Sequence, residues 1–158
     1  MIFVECNPDE ALVRFLTRLS RRQIIHERGK GEICNRLRKK DNSLGLVDED
    51  PGKPQPSYIK EAKLKEDVPL HGIKVKYHES TNNYLIILCP SLEGWIIGAA
   101  KESGVDLMRS YSLPKDVNGL HSVINLNLDK YEKILGDLRG TTRFKELQKL
   151  LKRYHQTG

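Results

Sequence analysis

The residues best suited to chemistry in this chain are four acids that close apolar runs. Glu5 follows Ile2-Phe3-Val4, and Asp48-Glu49-Asp50 follows Leu44-Gly45-Leu46-Val47. Short runs of β-branched and apolar residues bounded by polar clusters read as buried strands. The acids therefore sit at carboxyl ends of strands, where open α/β sheets bind ligands. Asp48 and Asp50 are two residues apart, so in an extended chain their side chains share a face and Glu49 turns away. Carboxylates converging there repel unless they are protonated or neutralised. A hard divalent cation with oxygen ligands resolves the conflict, and Mg²⁺ keeps waters that a substrate phosphate can replace. The alternative is that Asp-Glu-Asp-Pro-Gly is only a polar turn leaving a strand, since Asp, Pro and Gly are turn residues.

Other candidates carry two readings each. Lys30, between Gly29 and Gly31 at a helix start, either meets a phosphate with the help of free backbone N–H groups or belongs to a plain turn. The full nucleotide-binding run Gly-x-x-x-x-Gly-Lys-Ser/Thr is missing. Glu93, early in a helix, is either a further acid of the site or a favourable partner of the helix dipole. His78 at a hairpin tip and His26 at a strand end are candidates for the site rim, and no two histidines stand at metal-ligand spacing. Trp95 shares a face with Leu92 and Ala99 and reads as a core anchor. Cys6, Cys34 and Cys89 lie far apart in apolar surroundings and read as buried reduced thiols, with no zinc-type spacing. No Gly-x-Ser-x-Gly elbow supplies a nucleophile.

The elements that must position these residues alternate. Ile2-Phe3-Val4 is a first strand. Asn7-Pro8-Asp9-Glu10 starts a helix, with Asn7 as cap, Pro8 at the first position and two acids on the dipole. Ala11, Leu12, Phe15, Leu16 and Leu19 continue it at helical spacing. Gln23 to His26 predicts a second strand, Ile33, Cys34 and Leu37 a second helix, and Leu44 to Val47 a third strand. Strand–helix–strand–helix–strand implies a parallel sheet with crossover helices. Residues 51–69, rich in Pro, Lys and Glu, read as a solvated loop with one helical turn near Tyr58 to Leu64. Ile73 to Glu79 and Tyr84 to Cys89 predict a β-hairpin turning at Ser80-Thr81-Asn82-Asn83. Pro90 opens a helix carrying Leu92, Trp95, Ile96 and Ala99. Residues 104–118 read as irregular, and two basic amphipathic helices follow at about Asn127 to Leu138 and Thr142 to Tyr154.

The chain of 158 residues has the size of a single domain. Its apolar runs are too short to span a bilayer, and no basic segment or cleavage site marks a signal peptide, so the expected location is the cytoplasm without a membrane partner. A formal net charge of +6 leans toward a polyanionic partner. The groups Arg14/Arg18/Arg21/Arg22 and Lys145/Lys149/Lys152/Arg153 are either solvated helix faces or, if they flank the acids, a track for a phosphate backbone.

The order of these motifs resembles the Toprim domain of topoisomerases, primases and overcoming-lysogenization-defect nucleases. In that pattern a glutamate closes the first strand, as in Phe3-Val4-Glu5-Cys6, and an Asp-x-Asp closes the third, as in Gly45-Leu46-Val47-Asp48-Glu49-Asp50. Gly29-Lys30-Gly31 resembles the Gly-Lys turn of small stand-alone Toprim-like proteins. Pro90-Ser91-Leu92-Glu93-Gly94-Trp95-Ile96-Ile97 is similar to a Pro-x-x-Glu-x-Trp-Leu-Leu segment of Toprim-like proteins related to the RloB defence family. The resemblance covers about residues 1–100 and does not extend to the tail. It implies an α/β, Rossmann-like, mostly parallel sheet flanked by helices, with a hairpin and a helical tail. It further implies an Mg²⁺- or Mn²⁺-dependent nuclease or related phosphoryl-transfer enzyme. Glu5 would be ligand or general acid/base, Asp48 and Asp50 metal ligands, and Glu93 an additional acid. The metal would polarise the phosphate and activate a water. Lys30, Gly29, Gly31 and His78 would contact substrate. Nucleic acid, DNA or RNA, is the expected partner, with a homodimer or a larger assembly as the setting. Cys6 stands where the pattern has glycine, which motivates the alternative of a non-catalytic nucleic-acid-binding or regulatory module on the same fold.

Overall fold

In the computed structural model, which describes residues 1–156, the first apolar runs become three parallel strands. They are β1 (Ile2–Val4), β2 (Ile24–His26) and β3 (Leu44–Asp48). β1 lies between the other two, with Ile2 paired to Ile24 on one side and Leu44 on the other. The crossover helices α1 (Asn7–Thr17) and α2 (Lys30–Leu37) cover opposite faces of the sheet. Leu12, Val13 and Leu16 of α1 share a core with Ile2, Val4 and Leu46. Ile33, Cys34 and Leu37 of α2 share a second core with Phe3 and Val47. Side-chain alternation along a strand divides the residues this way. α2 packs close because Gly45 has no side chain: a Cβ there would sit 2.9 Å from Leu85 and 3.1 Å from both Ile33 and Leu37.

The sheet has six strands in the order β2-β1-β3-β6-β5-β4. β6 (Asn83–Leu88) runs parallel to β3; β5 (Ile73–His78) and β4 (Lys63–Val68) close the far side antiparallel. This is a mostly parallel α/β sheet flanked by helices and compatible with a Rossmann-like fold. From β1 the chain crosses to β2, and from β2 it crosses back over β1 to β3. The winding therefore reverses between β1 and β3, and α/β sheets of this kind bind ligands outside the carboxyl ends of the strands at such a switch point.

Four elements depart from the expectation. Residues 51–69 hold the expected helical turn as α3 (Ser57–Glu61), but they also hold all of β4, which was not expected. Lys-Leu-Lys-Glu-Asp-Val escaped recognition because an edge strand shows its side chains to solvent on both faces, Leu64 included at 57% exposure. Charge on such an edge discourages pairing with other chains. Residues 104–118 are not irregular either. Asp106 caps α5 (Leu107–Tyr111), accepting from the Met108 and Arg109 N–H groups, and Asp116 caps α6 (Val117–Leu126), accepting from Gly119. The first helix is capped by Cys6 rather than Asn7, which is already helical. Pro90 precedes its helix: Ser91 caps α4 (Leu92–Ser103) by accepting from the Gly94 N–H.

The tail forms α7 (Leu128–Leu138) and α8 (Thr142–Gln156), close to the expected spans. Together with α1, α4 and α6 these helices bury the larger core on one face of the sheet. Trp95 anchors it as expected, fully buried, stacked on Phe144, with its indole N–H donating to the His71 carbonyl at 2.8 Å. No helix among the described residues is long and apolar enough to cross a membrane.

Candidate acidic site

The crevice between β1 and β3 gathers carboxylates from four elements: Glu5 after β1, Asp9 in α1, Asp48 ending β3, and Glu93 in α4. Backbone geometry ties them together. The Asp48 N–H donates to Glu5 Oε1 at 3.0 Å, and the Leu92 N–H, first in α4, donates to Asp48 Oδ1 at 2.8 Å. The Cys6 N–H and thiol both donate to Asp9 Oδ2, at 3.2 and 3.1 Å. Helices α1, α2 and α4 all point their N-termini at this edge, which favours negative charge there.

That help does not offset burial. Asp9 and Glu93 are each only 4% exposed. Burial, then the charges of Asp9, Glu5 and Glu93, push the Asp48 carboxyl up to about 8. Burial pushes Asp9 up to about 7, with Glu5 and Glu93 adding to the rise. Glu5 is raised as well, chiefly by burial, against the opposing pull of the Asp48 N–H and Lys30. The Tyr131 hydroxyl, on α7, is buried without a hydrogen-bond partner among the described residues, and burial and then the charges of Asp9, Cys6, Glu93 and Asp48 hold its proton on. Ionising Glu5, Asp9 and Asp48 together sets like charges against one another, with Lys30 the cation whose charge favours the Glu5 carboxylate.

The expected ligand set is only partly assembled. β3 ends at Asp48, and Asp50 has a left-handed backbone, φ 49°, from which the Lys53 N–H closes a turn onto the Asp50 carbonyl at 3.1 Å. The alternation that would have put Asp48 and Asp50 on one face is broken there. Asp50 instead pairs with the Lys30 ammonium at 3.0 Å. Lys30 is thus a partner of Asp50 and of Gln55 Oε1 at 3.2 Å. Gly29 does open α2, with φ 92°, and both Gly29 and Gly31 leave open space where a side chain would be. Glu49 points away as expected: Lys74 pairs with it at 2.6 Å and holds its carboxyl below the usual range.

His78 is not at the rim. β5 runs antiparallel to β6, so His78, paired with Asn83, sits at the opposite edge of the sheet, stacked on Tyr58 with ring centroids 4.1 Å apart. His26 does reach the rim, its Nε2 lying 3.0 Å from the Glu5 carbonyl. The Arg14, Arg18, Arg21 and Arg22 group lies toward that opposite edge too, because α1 runs back from the carboxyl end of β1 to the start of β2. The cysteines are free thiols, and burial pushes Cys34 up to about 11 and Cys89 up to about 12, which leaves them poor nucleophiles.

Three residues of the cluster were not expected. Asp9 looked like a surface acid on a helix dipole; its signal was a side chain at the third helical position able to reach back to the cap. Tyr131 and His121 carried no local signal, because only the packing of α7 and α6 brings them here. The His121 Nδ1 lies 2.7 Å from Glu93 Oε1.

Among the described residues no group of three His, Cys, Asp or Glu side chains lies close enough to hold one metal ion. The donors present still suit Mg²⁺, a hard cation commonly bound through one or two carboxylates with water and substrate phosphate completing its shell. Asp48, whose Oδ2 has no hydrogen bond among the described residues, and Glu5 are the two that fit. Compared with protein-family models, with curated proteins and with solved structures, the chain matches none.

Proposed function

We propose that this chain is an Mg²⁺- or Mn²⁺-dependent phosphodiesterase acting on nucleic acid, DNA or RNA, through a Toprim-like core. The observation that carries the reading is the convergence of Glu5, Asp9, Asp48 and Glu93 at the β1/β3 switch point, with Asp48 pushed up to about 8. Like charges gathered in a cleft are a common mark of a functional site, since they oppose stability. Glu5 and Asp48 would hold the cation, whose contribution is to polarise the phosphate and lower the charge on the leaving oxygen. The protein's own groups orient the substrate. A pocket beside Asp48 is lined by Glu49, Lys53, Lys74 and Lys76, and its lysines are the cations that a phosphate backbone would meet there in exchange for their present acids. The setting is cytoplasmic, as a single chain, a homodimer or a subunit of a larger assembly.

A second reading is a nucleic-acid-binding or regulatory module without catalysis. It is favoured by Lys30 and Lys74, which already neutralise Asp50 and Glu49. Cleavage of supercoiled plasmid and of single-stranded RNA in Mg²⁺ or Mn²⁺ separates the two. The enzyme reading expects cleavage that Asp48→Ala reduces by roughly a thousandfold or more. Binding of both substrates with no cleavage under either metal assigns the module instead.

A further inference from the structure

We infer that Glu93 and His121 form a carboxylate–imidazole dyad that serves as the proton-transfer group of the acidic site. The inference rests on the phosphodiesterase reading and adds a catalytic residue to it. Glu93 is the second residue of α4, and its side chain is only 6% exposed. The one hydrogen-bonding partner of its carboxylate among the described residues is His121 Nδ1 at 2.7 Å. The imidazole itself is 63% exposed, and no group among the described residues bonds its Nε2. Asn125 Nδ2, 3.5 Å from the same Nδ1, donates its short bond of 2.7 Å to the His121 carbonyl. Nδ1 therefore carries its proton toward the carboxylate, and Nε2 is the basic nitrogen, turned toward solvent.

The placement is not incidental. Among the described residues no other cationic side chain pairs with the Glu93 carboxylate, and α6, held by its Asp116 cap and by the tight approach of Gly119 to Pro114, brings one imidazole to it. The same turn of α4 that holds Glu93 also holds Asp48, through the Leu92 N–H at 2.8 Å. The imidazole thus hangs one residue from the group that fixes Asp48. Fixing Nδ1 with a carboxylate sets the tautomer and stabilises the imidazolium that forms on proton uptake, the logic of carboxylate–histidine pairs in acid–base catalysis.

In the step this assigns, Nε2 takes a proton from a water. The water's oxygen lone pair forms the new P–O bond, and the ester P–O bond breaks with its electron pair going to the leaving oxygen. The leaving oxygen takes a proton from solvent, and the imidazolium returns its own to solvent, so charge and atoms balance.

The test compares wild type with His121→Ala, His121→Asn and Asp48→Ala in the metal-dependent cleavage assay, with thermal melts of each. Asn at this position keeps an amide donor for Glu93 but offers no base, so a merely structural histidine would leave His121→Asn active. The dyad predicts that Asn and Ala both lower kcat roughly a hundredfold, with KM little changed, and that added imidazole restores part of the His121→Ala rate. Full activity in His121→Asn, or a loss that tracks the melting temperature alone, overturns the dyad while Asp48→Ala still reports on the metal site. A wild-type chain that cleaves neither substrate overturns the phosphodiesterase reading and the dyad's role with it.

Discussion

The two edges of the sheet treat buried polar groups in opposite ways. At the amino edge, Asn83 is 1% exposed and its amide is fully used. Its Oδ1 accepts from the Ser43 N–H at 2.8 Å, and its Nδ2 donates to the Leu37 carbonyl at 2.7 Å, the Lys40 carbonyl at 2.8 Å and the Tyr58 hydroxyl at 3.0 Å. At the carboxyl edge, Asp9 and Glu93 are buried beside half-buried Glu5 and Asp48, and burial and neighbouring carboxylates raise the pKa values of Glu5, Asp9 and Asp48. Neutral complementary groups lock β3, β6, α2 and α3 in register, whereas like charges at the other end store unfavourable energy. Polar groups are satisfied at one edge, and carboxylates oppose one another at the other.

The largest test of this contrast is at the satisfied edge. Asn83→Ala leaves the Leu37 carbonyl and the Ser43 N–H without their buried partner and should lower unfolding free energy by about 3 kcal/mol in urea titration. A loss under 1 kcal/mol, roughly a surface substitution's effect, would mean the network contributes little.

The middle effect is at the acidic edge and has the opposite sign. Asp48 and Asp9 have folded pKa values of about 8 and about 7, above their unfolded values. The folded state then holds more protons than the unfolded chain across the intervening window, so stability falls as pH rises from about 4 to about 8. Asp48→Asn should remove much of that slope and stabilise the protein at pH 8 by about 2 kcal/mol or more while changing little at pH 4. A pH-independent melting temperature in wild type, or a destabilised Asp48→Asn at pH 8, would show that the acids are not in conflict.

The first half of the fold was legible because each element announces itself: apolar runs for β1 and β3, Pro8 near a helix start, Gly29 at a helix cap. β4 was not, because a charged edge strand shows no alternation. α5 was hidden because five residues are too few to show a stripe, and α6 was missed although Asp116 caps it and Leu120, Val123 and Ile124 follow at helical spacing. In the site, Glu5 and Asp48 followed from strand-end position alone. Asp50 was misplaced because one positive φ ends the two-residue alternation, and Asp9 because its burial depends on how Cys6 enters α1. His121 could not be read at all, since only the packing of α6 against α4 brings it to Glu93.

The central claim is that the acids at the β1/β3 crevice are held apart from their ionised state until a cation joins them. The most direct measurement is the melting temperature at pH 8 with Mn²⁺ titrated into wild type and Asp48→Asn. The account predicts that wild type gains about 1.4 kcal/mol at ten times the dissociation constant, a rise of roughly 3–6 °C, and that Asp48→Asn gains almost nothing. Equal shifts in the two proteins, or none in wild type, would contradict it.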